Sequence, residues 1–353
     1  MGSFSPEPPK PWVETPLISS PPLSRAAGCN IFLKLENTQP SGSFKSRGIG
    51  NMMLTASSTT LPDEQLHFYC SSGGNAGLAC ATTAITLNRP ATIVVPTSTS
   101  EFMVTKLREL GVEVIQTGAS WAEADAFLRE TLLTPQDGMR KVYVPPFDHP
   151  DIWAGAATLV DEIALDFGPV GGRFSGRGGL DAVVCNVGGG GLLNGVMEGL
   201  ERNAKRLGGS GTTKVLAMET VGAESLYASV QAGEMVTLPG ITSIATSLGA
   251  RRVSEKTWEW FQKVGPEGMV CSTVTDKEAA LACVRFLDDA RILIEVACGA
   301  TIATAYNGEL RRQLGKGLTD EEWASRNVVL VVCGGSHTSA EILTKYKATY
   351  GIE

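Results

Sequence analysis

An α/β fold built on parallel sheets is what this sequence predicts, on two observations. From residue 67 onward, short apolar runs alternate with amphipathic stretches, the order expected when helices connect parallel strands. The composition is that of a globular protein, because 43% of the 353 residues are hydrophobic and 19% are charged. A chain of this length has room for two domains, or for one large domain, with a proper core.

The predicted elements follow in order along the chain. The strand patterns are the short runs at residues 31–36, 67–72, 91–96, 112–118, 141–146, 180–187, 214–220 and 327–335. The helical patterns are at residues 75–88, 100–111, 121–133 and 152–168. The Gly- and Arg-rich segment 168–179 has no periodicity and predicts an exposed loop. Ligands of such folds bind outside the carboxyl ends of the strands, so the informative loops are 71–77, 188–191, 219–225 and 333–339.

Charge and cysteine content limit the function classes. A net charge of −7 argues against a nucleic-acid or anionic-membrane partner, and no apolar run reaches the length of a membrane span. The first twelve residues lack the apolar stretch of a secretory signal. The eight cysteines are scattered, without a CxxC pair or a neighbouring His at metal-ligand spacing. We therefore expect a cytoplasmic protein with reduced thiols.

The segment QPSGSFKSRGIG (39–50) places a lysine at an unusual position. It follows a strand pattern, and Ser43 predicts the N-cap of a helix that begins near Phe44. Lys45 then lies in the first helical turn, where the helix dipole disfavours an ammonium group. Either its side chain reaches solvent, or the amine is kept neutral as a nucleophile that forms Schiff bases.

The segment VVCNVGGGGLLNGVMEGL (183–200) combines a strand, four glycines and a helix. Glycines let several backbone N–H groups approach one point, and the helix start adds its dipole, which predicts an anion site rather than a flexible turn. The loop lacks the Gly-Lys-Ser/Thr of a nucleotide triphosphate loop, and Leu193 and Asn194 break the dinucleotide GxGxxG pattern. A single phosphate fits best.

The segment SSGGNAG (71–77) repeats this design with polar side chains. Ser71, Ser72 and Asn75 add donors to the exposed amides, which suits a carboxylate, although a helix cap alone could explain Ser72 or Asn75. A reactive lysine, a phosphate site and a carboxylate site together predict pyridoxal 5′-phosphate (PLP) acting on an amino acid.

These motifs identify a family. SGSFKSRG, SSGGNAG, GGGGL, VVCGGS and the long segment 218–249 resemble the eukaryotic catabolic L-serine/L-threonine dehydratases, the serine dehydratase branch of the fold type II, tryptophan-synthase-β-like PLP enzymes. The resemblance runs from about Thr15 to the C-terminus. It implies two open, twisted, mostly parallel sheets flanked by helices. It further implies a large domain of residues 1–42 and 148–353, a small domain of residues 43–147, and an active site in the cleft between them.

The resemblance also implies residue roles. Lys45 forms the Schiff base with the cofactor and acts as the base at the substrate Cα, and Phe44 stacks on the pyridine ring. Asn75 hydrogen-bonds the 3′-oxygen of the ring. The substrate-binding residues are Ser72, Gly73, Asn75 and Ala76. The phosphate-binding residues are Gly188, Gly189, Gly190, Gly191 and Leu192.

Two further groups are implied by the same resemblance. Cys333, with Gly334, lies opposite the pyridine nitrogen, where a weakly interacting thiol favours β-elimination over transamination. Glu219, Ala223 and Ser225 match a monovalent-cation site for K⁺, whereas the alternative for Glu219 is an ordinary carboxylate at a strand end. Gly73, Val296 and His337 depart from the family pattern and put substrate preference in question.

The function expected is ammonia release from L-serine and L-threonine, giving pyruvate and 2-oxobutanoate. We expect a catabolic homodimer whose product feeds gluconeogenesis, and no isoleucine feedback, because the chain ends soon after the CGGSHTS helix. A serine racemase or β-replacement enzyme is the alternative, with Ser72 as a second base for racemisation. A scaffold that binds PLP without catalysis is a third reading, which the presence of Lys45 disfavours.

Overall fold

The protein consists of two compact units. The computed structural model describes residues 9–61, 63–134, 138–207 and 213–352, so the N-terminal stretch that lacks a signal pattern lies largely outside the described residues. The first unit contains residues 9–13 and 39–155, and the second unit contains residues 14–38 and 156–352.

Each unit has its own sheet. The strands are β1 (Leu17–Ser19), β2 (Asn30–Lys34), β3 (Leu66–Cys70), β4 (Ala91–Val95), β5 (Glu113–Gln116), β6 (Arg140–Tyr143), β7 (Ala182–Asn186), β8 (Lys214–Thr220), β9 (Met269–Val274) and β10 (Asn327–Val331). The second unit has the order β1-β2-β10-β7-β8-β9, in which β1 alone is antiparallel to its neighbour among these strands. The first unit has the order β5-β4-β3-β6, all parallel. The prediction of two mostly parallel sheets is confirmed.

Helices connect these strands. They are α1 (Pro21–Ala27), α2 (Lys45–Ser58), α3 (Asn75–Leu87), α4 (Glu101–Glu109), α5 (Trp121–Phe127), α6 (Pro150–Phe167), α7 (Gly191–Asn203), α8 (Ser225–Ala232), α9 (Glu255–Gly268), α10 (Asp276–Ala290), α11 (Val296–Tyr306), α12 (Glu309–Leu314), α13 (Asp320–Ala324) and α14 (Ala340–Tyr350). The predicted helix 121–133 is divided, because α5 continues as a π-helical turn at Leu128–Leu132. Segment 168–179 is mostly exposed, as predicted, and contains a short 3₁₀ turn. Among the described residues, no helix combines the length and apolarity needed to cross a bilayer.

The strand before Lys45 differs from its predicted alternation. Residues 31–34 of β2 are all buried, because this strand lies inside the sheet between β1 and β10. Its last residue, Lys34, is fully buried, and its ammonium group donates to Glu162 at 2.5 Å and to the carbonyl of Thr15 at 2.7 Å. A buried ammonium group without its carboxylate is strongly destabilising.

We expect Glu162→Ala to lower the free energy of unfolding by about 3–5 kcal/mol, because it leaves the Lys34 charge buried without its carboxylate. Asp161→Ala is the matched control, since Asp161 lies on the same helix and pairs with Arg202 on the surface. Its cost should stay within about 1 kcal/mol. Urea unfolding measures the free energy of unfolding of both variants. Equal decreases in the two variants would contradict the stabilising role of Glu162.

Candidate active site

Lys45 is the first residue of α2, in agreement with its predicted place in the first turn. The predicted N-cap is wrong. Phe44 occupies that position with helical backbone angles, and the Ser43 hydroxyl is buried without a hydrogen-bond partner among the described residues. The N–H groups of Ser46 and Arg47 donate instead to the backbone carbonyls of Ser43 and Phe44, at 3.2 and 3.0 Å. The helix therefore begins without a side-chain cap.

The Lys45 side chain is held by the protein. Its amine donates to the carbonyl of Pro146 and lies 5.2 Å from the centre of the Phe44 ring. Lys45 is half-buried, so the solvent-directed alternative does not describe it. The geometry offers a primary amine in a defined position, which is what Schiff-base chemistry requires.

Loop 71–77 begins α3 in the first unit. Ser71 is fully buried and its hydroxyl donates to Asp125 at 2.5 Å, so the interpretation of Ser71 as a free ligand donor is wrong. The Ser72 hydroxyl accepts from the N–H of Gly74 at 3.3 Å and keeps its own hydrogen for another acceptor. No side chain caps α3, so a cap does not account for Ser72 or Asn75. The arrangement leaves backbone donors for a carboxylate.

Two glycines of this loop are required by close neighbours. A Cβ atom at Gly77 would lie 1.8 Å from the carbonyl oxygen of Ser72, so only glycine fits there. A Cβ atom at Gly73 would lie 2.9 Å from Thr99 Cγ2 and 3.0 Å from Val95 Cγ1. The added room expected at Gly73 is therefore taken up by these side chains, and alanine would need them to move.

The glycine loop of the second unit is fixed in place. Gly190 has φ +98°, and a Cβ atom there would lie 1.8 Å from Thr257 Oγ1. The Gly189 carbonyl accepts from the N–H of Ser254 at 3.0 Å. Asn194 joins both sides, since its amide donates to the Ser254 hydroxyl at 3.0 Å and accepts from the Thr257 hydroxyl at 2.9 Å. These contacts disfavour the flexible-turn alternative.

The start of α7 needs an acceptor from outside the helix. Gly191, Leu192 and Leu193 are buried, and no side chain caps this helix. Among the helices that the structure describes, six have a serine or threonine cap, namely α4, α5, α9, α10, α13 and α14, whereas α1, α8, α11 and α12 share with α7 the lack of a side-chain cap. A buried, uncapped helix start that follows a glycine loop fits a phosphate group.

Cys333 provides a neutral thiol. It is 3% exposed, and its Sγ accepts from the side-chain amide of Asn186 at 3.4 Å. A hydrogen bond with Cys298 and burial raise the pKa of the Cys333 thiol well above its ordinary range. Gly334, with φ +82°, follows directly. The Cys333 thiol can therefore supply an uncharged partner for a ring nitrogen.

The candidate cation residues are buried near the start of α8. Glu219 is 1% exposed and accepts from the N–H groups of Leu226 and Tyr227 at 2.9 and 2.7 Å. Burial raises the pKa of Glu219 to about 8, against the lowering effect of those two hydrogen bonds. The Ser225 hydroxyl is buried without a hydrogen-bond partner among the residues that the structure describes, and the Ala223 N–H donates to the Thr220 carbonyl at 2.9 Å. Within the described ranges, no three His, Cys, Asp or Glu residues gather as metal ligands.

The loop after Cys333 is anchored by Glu295. The Glu295 carboxylate accepts from the N–H of His337 at 3.3 Å, and Gly335 has no room for a Cβ atom because Glu295 Cδ would lie 2.0 Å from it. The Nε2 atom of His337 is buried and lacks a partner among the described residues. Val296, the other departure, is buried at the first position of α11.

Several supporting residues were missed by the sequence analysis. They are Asp125, Tyr143, Pro146, Asn186, Asn194, Ser254, Thr257 and Glu295. Each contacts a residue that is far away along the chain, and although Asn186 and Asn194 lie within the segment 183–200, no sequence pattern marks these contacts. These supporting residues meet the predicted site residues only because the folded chain places separate helices, strands and loops side by side.

Comparisons with known proteins agree with this site. The sequence profile of the family described as "Pyridoxal-phosphate dependent enzyme" matches residues 10–334. The human protein named "Serine dehydratase-like" is 44% identical, over 96% of this chain and 95% of that protein. The bovine "L-serine dehydratase/L-threonine deaminase" is 38% identical, over 97% of this chain and 96% of that protein. The crystal structure of a fungal L-serine ammonia-lyase from Rhizomucor miehei has a TM-score of 0.83 at 35% identity, covering 96% of this chain and 99% of that one.

This chain belongs to the family of pyridoxal-phosphate dependent enzymes. Its relatives within that family include serine dehydratases from several eukaryotes, which confirms the resemblance inferred from the motifs.

We expect Gly190→Ala to weaken PLP binding by about tenfold or more. A left-handed backbone costs alanine about 1–2 kcal/mol, and Thr257 must also move, so the N–H groups of the loop lose their arrangement. Gly240→Ala is the matched control, because nothing lies within 4 Å of a Cβ atom there and its φ is not positive. Titration of both apoenzymes with PLP measures the effect. Equal affinities would show that the loop does not hold the phosphate.

Proposed function

We propose that this chain is a PLP-dependent ammonia-lyase that converts L-serine to pyruvate and ammonia, and L-threonine to 2-oxobutanoate and ammonia. The observation that carries the proposal is Lys45, a half-buried amine at the uncapped start of α2, within a chain 44% identical to a human serine dehydratase-like protein. Loop 71–77 of the same unit supplies donors for the carboxylate of an amino acid.

The residues present fit the cofactor in both units. When bound, PLP supplies an aldehyde that links to amines and a ring that accepts electron density from the substrate Cα. We propose that Lys45 holds the aldehyde carbon, that residues 188–192 hold the phosphate, and that Cys333 faces the ring nitrogen.

Other side chains act on the substrate. The Ser72 hydroxyl, with Gly73, Asn75 and Ala76, binds the carboxylate and so orients the Cα–H bond. The Lys45 amine takes the Cα proton, and hydroxide leaves from Cβ. Overall, one L-serine gives one pyruvate and one ammonia, because the water lost in the elimination step is taken up again in the hydrolysis step.

The neutral thiol explains why elimination is favoured. A carboxylate opposite the ring nitrogen would stabilise a proton there and draw charge away from Cα. The Cys333 thiol, kept protonated by burial and by Cys298, draws that charge weakly. Charge at Cα then expels the β-hydroxyl.

We also propose finer features that the resemblance implies. A K⁺ ion would bind at Glu219, Ala223 and Ser225. The buried Ser225 hydroxyl, which has no hydrogen-bond partner among the described residues, supports this site. Measuring activity after K⁺ is replaced with tetramethylammonium tests it. The enzyme would act as a cytoplasmic homodimer whose pyruvate enters gluconeogenesis. Sedimentation and cell fractionation test the assembly and the compartment.

We expect Lys45→Ala to abolish keto-acid formation and the visible absorbance of the linked cofactor, since the amine that links and accepts the proton is gone. Lys106→Ala is the matched control, because Lys106 also lies over a phenylalanine in the first unit, 5.3 Å from the Phe102 ring centre. Borohydride trapping followed by peptide mapping identifies the linked lysine. Trapping of a lysine other than Lys45 would refute the assignment of the linked residue. Formation of D-serine from L-serine without pyruvate would favour a racemase.

We expect Cys333→Asp to slow pyruvate release and to introduce transamination as a side reaction, because an ionised carboxylate would stabilise a proton on the ring nitrogen. Cys333→Ala should change the rate far less, as the thiol contributes mainly an uncharged surface. Product analysis by chromatography separates the two reactions, and urea unfolding controls for the stability of the buried aspartate. Wild-type turnover in the aspartate variant, without transamination, would remove this role from Cys333.

A further inference from the structure

Four side chains of the first unit form a hydrogen-bonded network, here called the Asp125 network: the buried Ser71 and Asp125, the partly buried Tyr143 and the exposed Arg129. Asp125 Oδ1 accepts from the Ser71 hydroxyl at 2.5 Å and from the Tyr143 hydroxyl at 2.6 Å. Asp125 Oδ2 accepts from Arg129 Nε at 2.8 Å. The guanidinium carbon of Arg129 lies 4.1 Å from the centre of the Tyr143 ring.

The network ends at the first residue of the carboxylate loop. Ser71 directly follows β3 and directly precedes Ser72, and its side chain is fully buried. At the other end of the loop, Gly77 lies against the carbonyl of Ser72. The loop is therefore held at two points: Asp125 holds the Ser71 side chain through a hydrogen bond, and Gly77 lies in close contact with the Ser72 carbonyl of the next peptide.

The charges of the network are balanced in a way that suits a carboxylate ligand. Asp125 is 8% exposed, and an uncompensated negative charge beside this loop would repel an anionic substrate group. Arg129 supplies the compensating charge from the π-helical turn Leu128–Leu132, a rare element that is often found at functional sites. Burial and the bond to Asp125 raise the pKa of Tyr143 to about 12, so its hydroxyl remains a donor.

We propose that Asp125 is a positioning residue that acts through Ser71 to hold loop 71–77 in the conformation that binds the substrate carboxylate, and that Arg129 cancels its charge. This inference rests on the proposed function for the identity of the substrate. The network contacts neither substrate nor cofactor in this account. Its effect is on the placement of the donors at Ser72 to Ala76.

The experiment compares Asp125→Asn, Asp125→Ala and Arg129→Gln holoenzymes with the wild type. Glu130→Gln is the matched control, since Glu130 lies exposed in the same π-helical turn. We expect Asp125→Ala to raise the KM for L-serine about tenfold or more, while kcat changes several-fold less and PLP affinity is retained. Asp125→Asn keeps one acceptor oxygen and should lie between Asp125→Ala and the wild type.

Two readouts do not depend on turnover. Glycine has no β-hydroxyl to eliminate, and its dissociation constant, followed by the cofactor spectrum, should rise in parallel with KM. Amide hydrogen exchange at residues 72–76 should be faster in the Asp125 variants and unchanged in Glu130→Gln. In Arg129→Gln, glycine binding should weaken and recover partly in high salt, because screening reduces the repulsion.

The outcomes separate the two ideas. If no keto acid forms from serine or threonine in the wild type, the proposed function fails, yet glycine binding and exchange still test the network. Unchanged glycine affinity and unchanged exchange in Asp125→Asn would overturn the positioning role. If Asp125→Ala does not fold, Ser71→Ala removes the same bond. Its effect on glycine binding should not add to that of Asp125→Asn if both act through one hydrogen bond.

Discussion

Backbone N–H groups that no side chain caps are the constraint on which this structure depends. The starts of α2, α3 and α7 lack side-chain caps, as do those of α1, α8, α11 and α12, whereas serine or threonine caps other described helices such as α4 and α14. A helix start leaves several donors unsatisfied and carries partial positive charge. At these positions the chain has small residues and a lysine, and under the proposed function ligand groups would take the place that a cap would occupy.

Close packing explains why the loops around these starts are rich in glycine. Gly77 lies against the carbonyl of Ser72 and Gly190 lies against the hydroxyl of Thr257, and neither position has space for a Cβ atom. The glycines therefore do not make the loops flexible. They allow neighbouring backbone and side chains to approach so closely that the donors keep one arrangement, which is how a site is preorganised for its ligand.

Under the proposed function, the groups that each unit contributes differ in charge. The first unit supplies the amine of Lys45, the donors of loop 71–77 and a buried carboxylate at Asp125 whose charge Arg129 compensates. The second unit supplies the glycine loop and a thiol that stays neutral at Cys333. Under the proposed role of Cys333, a charged group at that position would change the reaction, so the absence of charge there would matter as much as the Lys45 amine.

The sequence by itself determined the features that depend on neighbouring residues, namely the strand patterns and the short motifs. Alternating apolar runs predicted most strands of an α/β fold with parallel sheets, and the lysine, SSGGNAG and glycine motifs each predicted a chemistry, because these signals lie within a few adjacent residues. The sequence analysis did not predict strands β1 and β9 or the N-cap residue of α2, since contacts with other segments decide these features. The tertiary structure alone decided that Ser71 belongs to Asp125 rather than to the ligand, and that Thr257 braces Gly190. Those contacts join residues distant in the chain, and a hydrogen bond is specified only when packing brings its donor and acceptor together.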